Sequence, residues 1–170
     1  MQRTAAPAGY ETDFALWAQS QATALRERRF DDLDLSNLIE EIDDLSKRDR
    51  DAIRSRMTTL AFHLLKLHYQ PERASGSWLG TIVSRATRIR RLIDGSPSLR
   101  VELLDYERTA YSDARPQASA ETGLPITNFP EAPTAAFIVA YRAALAGEDF
   151  GGDAIVREAK ANRANKKKRK

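Results

Sequence analysis

The chain has no cysteine among its 170 residues, which excludes disulfide bonds and thiolate metal sites and leaves its redox compartment open. It also has no apolar run long enough to predict a membrane span. Residues 1–7 lack the apolar core of a signal peptide. We therefore expect a cytoplasmic protein with no membrane partner.

Motifs of common catalytic and cofactor sites are missing as well. The sequence contains no nucleophile elbow, no glycine-rich phosphate loop and no metal-spaced motif. Its two histidines, His63 and His68, are five residues apart and do not form the i, i+4 pair that metal-binding helices use. We predict no cofactor and no metal, and we favour a non-enzymatic role over catalysis.

One long stretch, residues 34–69, contains neither glycine nor proline. Its apolar residues recur at intervals of mostly three and four, which predicts a single amphipathic helix with one buried stripe. Asp34 or Ser36 can cap the start of this helix. We expect the helix to end just before Pro71, because proline has no backbone N–H to donate into the helix.

Shorter helices are predicted around this long one, and no β pattern of useful length occurs. The fold class is therefore all-α, a helical bundle built on the long helix with shorter helices packed against it. The shorter helices are expected over residues 11–28, 78–94, 97–122 and 134–146. The expected core positions are Trp17, Leu38, Ile42, Leu60, Leu64 and Ile89.

Charge divides the chain into a body and a tail. Residues 157–170 hold eight basic groups and one acidic group, whereas the rest of the chain has a net charge of −4. We expect residues 1–9 to be disordered, residues 10–150 to form a single helical domain, and residues 151–170 to be a basic, mostly disordered tail.

An acidic cluster lies in the first half of the long helix, at Glu40, Glu41, Asp43 and Asp44. Acidic side chains with His63 suggest a metal site inside a helical bundle. However, 22 residues separate Glu41 from His63, about 33 Å along one helix. We favour a solvated acidic face, stabilised by its position near a helix N-terminus.

A second candidate is a polar cleft, formed by His63, Lys66, Tyr69, Gln70 and Trp78. Such side chains can bind an anion or serve acid–base chemistry. A histidine in an apolar stripe is more often a hydrogen-bonded core residue, and a tryptophan at a helix start is more often a packing anchor. We favour the structural interpretation.

Two function classes remain ahead of an enzyme with a polar cleft around His63. The first is a binding or adaptor module that docks a protein partner or a second copy of itself. The second is a nucleic-acid accessory protein that makes weak, non-specific contacts. The basic residues that would make those contacts are Arg88, Arg91, Lys166, Lys167, Lys168, Arg169 and Lys170.

Six groups of short sequence landmarks occur in order along the chain. They are Tyr10-Glu-Thr-Asp-Phe with Trp17, Leu35-Ser-Asn-Leu-Ile-Glu-Glu-Ile, His63-Leu-Leu-Lys with Tyr69-Gln-Pro-Glu-Arg, Ser77-Trp with Thr81-Ile, Ser96-Pro-Ser-Leu, and Glu121-Thr-Gly-Leu-Pro with Phe129-Pro. Taken together, they resemble the bacterial domain of unknown function 29 family over about residues 9–133. The resemblance implies an all-helical bundle and no established activity. The Ala-rich segment before Glu148 and the basic tail depart from the family pattern.

Overall fold

The computed structural model describes residues 9–168, with side chains described as far as residue 161. Within this range the chain forms six α-helices joined by loops and short 3-10 turns, and no strand, which confirms the predicted all-α fold. None of the described helices is both long and apolar enough to cross a membrane. The helices are α1 (Phe14–Arg26), α2 (Leu35–Tyr69), α3 (Gly76–Gly95), α4 (Leu103–Thr122), α5 (Ala135–Ala146) and α6 (Gly152–Lys168).

Helix α2 is the long element that the sequence predicts, and it runs unbroken for 35 residues. The side chain of Asp34 caps it, since its Oδ1 atom accepts a hydrogen bond from the backbone N–H of Asn37 at 3.3 Å. Pro71 follows its last residue closely and opens a 3-10 turn (Pro71–Arg73). Both ends of the helix are therefore explained by local sequence.

The chain divides into two compact units, the first ending at Arg48 and the second beginning at Asp49. In the first unit, Trp17 of α1 is buried and lies edge-on to the ring of Tyr10 at 4.9 Å. Its Nε1 atom donates to Asp34 Oδ2 at 3.2 Å, and the backbone N–H of Asp34 donates to Gln21 Oε1 at 2.8 Å. These bonds tie α1 to the start of α2.

The second unit holds an apolar core to which five helices contribute. Helix α2 packs against the shorter helices there. The hydroxyl of Tyr141 on α5 is fully buried and donates to the backbone oxygen of Met57 on α2 at 3.2 Å. The buried residues of α2 in this core are Ile53, Met57, Leu60, Ala61, Leu64, Leu65 and Leu67.

The core predicted from the sequence is confirmed at four of its six positions: Trp17, Leu60, Leu64 and Ile89 are buried. Leu38 is half-buried. The prediction for Ile42 is wrong, because 64% of this residue is exposed. Periodicity placed it on an apolar stripe, but the described residues leave that part of the stripe largely uncovered.

Helix α6 begins at Gly152, inside the segment that is predicted to be a basic, mostly disordered tail. Val156 and Ala159 of this helix are buried and join the core of the second unit. The boundary at residue 151, like the single domain over residues 10–150, stays a prediction. Residues 1–8 lie outside the described part of the chain.

The difference in burial between Leu64 and Ile42 leads to a prediction about stability. Leu64→Ala should lower the free energy of unfolding by about 2–5 kcal/mol, because it removes buried methyl groups and leaves a cavity. Ile42→Ala should change it by no more than about 0.5 kcal/mol, because the side chain is largely exposed. Urea denaturation of the full chain measures both, and equal losses would contradict the burial difference.

Candidate functional site

Lys66 is the centre of the predicted polar cleft. It lies in the second half of α2 and is only 5% exposed. Its ammonium group sits over two aromatic rings, 4.3 Å from the centroid of Trp78 and 5.0 Å from that of Phe62. Its Nζ atom also donates to Glu121 Oε1 at 3.1 Å. The charge is therefore held by two ring faces and one carboxylate.

His63 lies one helical turn before Lys66 and is half-buried. Its Nδ1 atom is buried and has no hydrogen-bond partner among the described residues. Burial lowers the pKa of His63 to about 4, and the positive charges of Lys66 and Arg85 add to the effect. The ring is therefore neutral at pH 7, and it lies edge-on to Phe62 at 4.9 Å.

Tyr69 and Gln70 belong to different local contacts. The buried amide of Gln70 donates from Nε2 to the backbone oxygen of Thr122 at 2.8 Å, which ties the end of α2 to the end of α4. The ring of Tyr69 packs on Phe129 at 4.7 Å. Lys66 and Trp78 are thus in direct contact, whereas the contacts of Tyr69 and Gln70 are made with other residues. That the five form one cleft stays a prediction.

The predicted acidic face lies in the first unit. Glu41 accepts a hydrogen bond from the hydroxyl of Tyr10 at 2.7 Å, which raises the pKa of Tyr10 to about 12. The Oε2 atom of Glu41 also lies 3.7 Å from the Nη2 atom of Arg48. Glu40 and Asp43 are exposed, and Asp44 is half-buried. In the described part of the chain, no three His, Cys, Asp or Glu side chains are grouped closely enough to hold a metal ion.

Four large apolar side chains of α2 stand in solvent beside these acids, and sequence reasoning assigned them to a buried stripe. Each is between 58% and 64% exposed. They lie four, three and three residues apart, so they form a strip along the helix. We call this strip the uncovered face, and it consists of Leu35, Ile39, Ile42 and Leu45.

Periodicity does not separate the uncovered face from the buried part of α2, since both show the same spacing of apolar residues. Exposure of a single leucine or isoleucine is ordinary, whereas a continuous strip of four is a feature of interaction surfaces. The local sequence does contain one indication. The acidic residues cluster in this half of α2 and not in the half that carries the core.

The predicted nucleic-acid contacts lie at two places. Arg88 and Arg91 are exposed on α3. The residues Lys166, Lys167 and Lys168 close α6, but their side chains lie outside the described part, as do Arg169 and Lys170 altogether. The contribution of this group to binding stays a prediction.

The low pKa of His63 makes a prediction about pH. The unfolded chain binds a proton at His63 near the ordinary pKa of about 6.5, whereas the folded chain does so only near pH 4. The unfolded state therefore holds more protons in this range. The stability that depends on neutral His63 is complete above about pH 6.5 and is lost as the pH falls toward 4.

Unfolding free energies measured from pH 7 to pH 4.5 should therefore fall less steeply for His63→Gln than for the parent chain. Proton NMR titration of the histidine rings should place His63 below pH 5, well under the ordinary value of about 6.5. A His63 pKa near 6.5 would contradict the burial argument.

The setting of Lys66 predicts that its packing matters more than its charge. Lys66→Met keeps most of the aliphatic stem between the rings and removes a buried cation, so it should be close to neutral or stabilising. Lys66→Ala should be destabilising by about 2 kcal/mol or more because it leaves a cavity. Thermal and urea unfolding compare the two, and an equal loss in both would show that the charge is what stabilises this region.

A search of curated proteins and of solved structures finds no match. Residues 10–141 match the family described as domain of unknown function DUF29. This range contains α1 to α4 and most of α5, and therefore Lys66, His63 and the whole uncovered face. The chain belongs to the DUF29 family.

Proposed function

We propose that this chain is a protein-binding module and that its uncovered face receives an amphipathic helix of a partner protein. The observation that carries the proposal is the strip of four exposed leucine and isoleucine side chains on α2. Helix-on-helix docking uses anchors at this spacing, about one per helical turn on one face. A partner helix would cover the strip in the way that helices α3 to α6 contribute to the core beside the second half of α2.

The energy available supports a specific but moderate interaction. Burying a leucine or isoleucine completely contributes about 1.5–3 kcal/mol, and each residue of the strip has more than half of its surface still exposed. Four such side chains therefore contribute on the order of 4–7 kcal/mol before the cost of association is subtracted. Further contacts at the rim of the face would have to supply the remaining binding free energy.

The predicted polar cleft gives less support to an enzymatic function than the uncovered face gives to protein binding. Lys66 is engaged by two rings and a carboxylate, and His63 is neutral with its Nδ1 atom buried. The contacts of Lys66 account for its burial, whereas His63 packs edge-on to Phe62 and its Nδ1 atom has no hydrogen-bond partner among the described residues. The uncovered face, in contrast, has no such account within the described residues of the fold.

Photo-crosslinking at Ile42 tests the proposal in the cells that make the protein. A benzophenone amino acid at Ile42 should form an adduct with a different protein, and that protein, once purified, should bind the purified chain. The matched control is the same probe at Val139 on α5, which is 69% exposed but lies away from the strip in sequence. Ile39→Ser should abolish the adduct at position 42 without unfolding the chain, because Ile39 is also exposed.

Two outcomes would overturn the proposal. Equal adducts at positions 42 and 139 would show that the strip has no special affinity. An adduct whose mass is that of two copies of this chain, with no other product, would show that the face serves self-association and not a partner.

A further inference from the structure

The uncovered face is set in the most acidic part of the chain. Residues 30–46 contain seven acidic side chains and no basic one. The segment therefore has a formal charge of −7, although the whole chain has a net charge of +3. The acidic residues are Asp31, Asp32, Asp34, Glu40, Glu41, Asp43 and Asp44.

Several of these acids already have partners inside the first unit. Asp32 pairs with Arg29, Glu41 with Arg48, and Asp34 accepts hydrogen bonds from Trp17 and Asn37. These three carboxylates serve the fold.

Glu40 and Asp43 are different. Both are exposed, and neither makes an ion pair with any residue whose side chain the structure describes. Asp43 follows Ile42 directly and lies one helical turn after Ile39, so it borders the strip on the helix surface. Glu40 lies three residues before Asp43 and is its neighbour on the same side of the helix. The uncovered face therefore has an edge of unpaired negative charge.

We infer that the partner helix is basic, with lysine or arginine side chains flanking an apolar strip. The inference rests on the proposed function and names the chemistry of its partner. Cationic side chains along the partner would lie against Glu40 and Asp43 while its apolar residues cover Ile39 and Ile42. Complementary charge of this kind speeds association and rejects partners of the wrong sign.

A second copy of this chain is the poorer occupant for the same reason. Pairing two uncovered faces would bring the exposed carboxylates of Glu40 and Asp43 on one copy toward those of the other, and like charges across an interface oppose binding. The acidic edge thus selects a basic helix and disfavours self-association.

Three synthetic peptides of equal length test the inference against the purified full chain. The first has leucines at i, i+3, i+4 and i+7 with flanking lysine and arginine, and the second has the same leucines with flanking glutamate. The third has the composition of the first in scrambled order, without an apolar strip. Fluorescence anisotropy should show the first binding at least about tenfold more tightly than either of the others. The difference in affinity between the first peptide and the glutamate peptide should shrink as the salt concentration rises from about 0.05 to about 0.5 M.

Variants of the chain locate the binding. The double variant Glu40→Gln/Asp43→Asn should weaken the basic peptide several-fold and leave the glutamate peptide unchanged or tighter. The matched control is Glu131→Gln/Glu148→Gln, which removes the same charge at exposed positions of the second unit and should have no effect. Ile39→Ser should weaken the basic peptide as well.

The outcomes separate this inference from the proposed function. Equal affinity for the basic and glutamate peptides would overturn the basic partner, while crosslinking at Ile42 would still support a protein-binding face. Equal affinity for the ordered and scrambled basic peptides would also overturn it, because charge alone would then explain binding. Self-association of the chain that Ile42→Ser abolishes would overturn both.

Discussion

The unbroken backbone of α2 is the constraint on which the rest of the structure depends. Its 35 residues form one helix because nothing between Asp34 and Pro71 interrupts the hydrogen-bond ladder. The helix is longer than its own core, so some of its apolar surface is buried and some is left in solvent. Met57 lies in the buried part, where its backbone oxygen accepts a bond from Tyr141, and Ile42 lies in the exposed part. One periodic pattern therefore continues through both the buried and the exposed part of the helix.

The polar groups near the core show how a charge is kept inside a small helical fold. Lys66 is not simply neutralised by Glu121, because that carboxylate is itself 58% exposed and a pair of this kind contributes little on its own. The rings of Phe62 and Trp78 supply the remaining contacts, and they do so without needing a second acid. The cation in turn disfavours a charge on His63, which is one reason that the pKa of His63 is low. Lys66, its two aromatic neighbours and His63 therefore form one group of interacting side chains.

The sequence predicts structural properties that depend on neighbouring residues, such as the ends of a helix. It does not predict burial where burial depends on residues that are distant along the chain. The length of α2, its cap at Asp34 and its end before Pro71 are local properties. Ile42 and Leu64 have equivalent local patterns, and only the packing of other helices decides that one is exposed and the other buried. The same holds for Lys66, since Phe62 is one turn away on α2 but Trp78 and Glu121 come from α3 and α4.

An apolar strip in water is a hazard unless something limits what it can touch. Strips of this kind promote aggregation when they are bare, and surrounding charge of one sign is a common protection. If the proposed partner is basic, the acids around the uncovered face would supply that protection, because two copies would repel each other as their apolar residues approach. The same charge would attract the proposed partner. Both effects would follow from one arrangement: exposed acids such as Glu40 and Asp43 beside exposed isoleucines on a single helix.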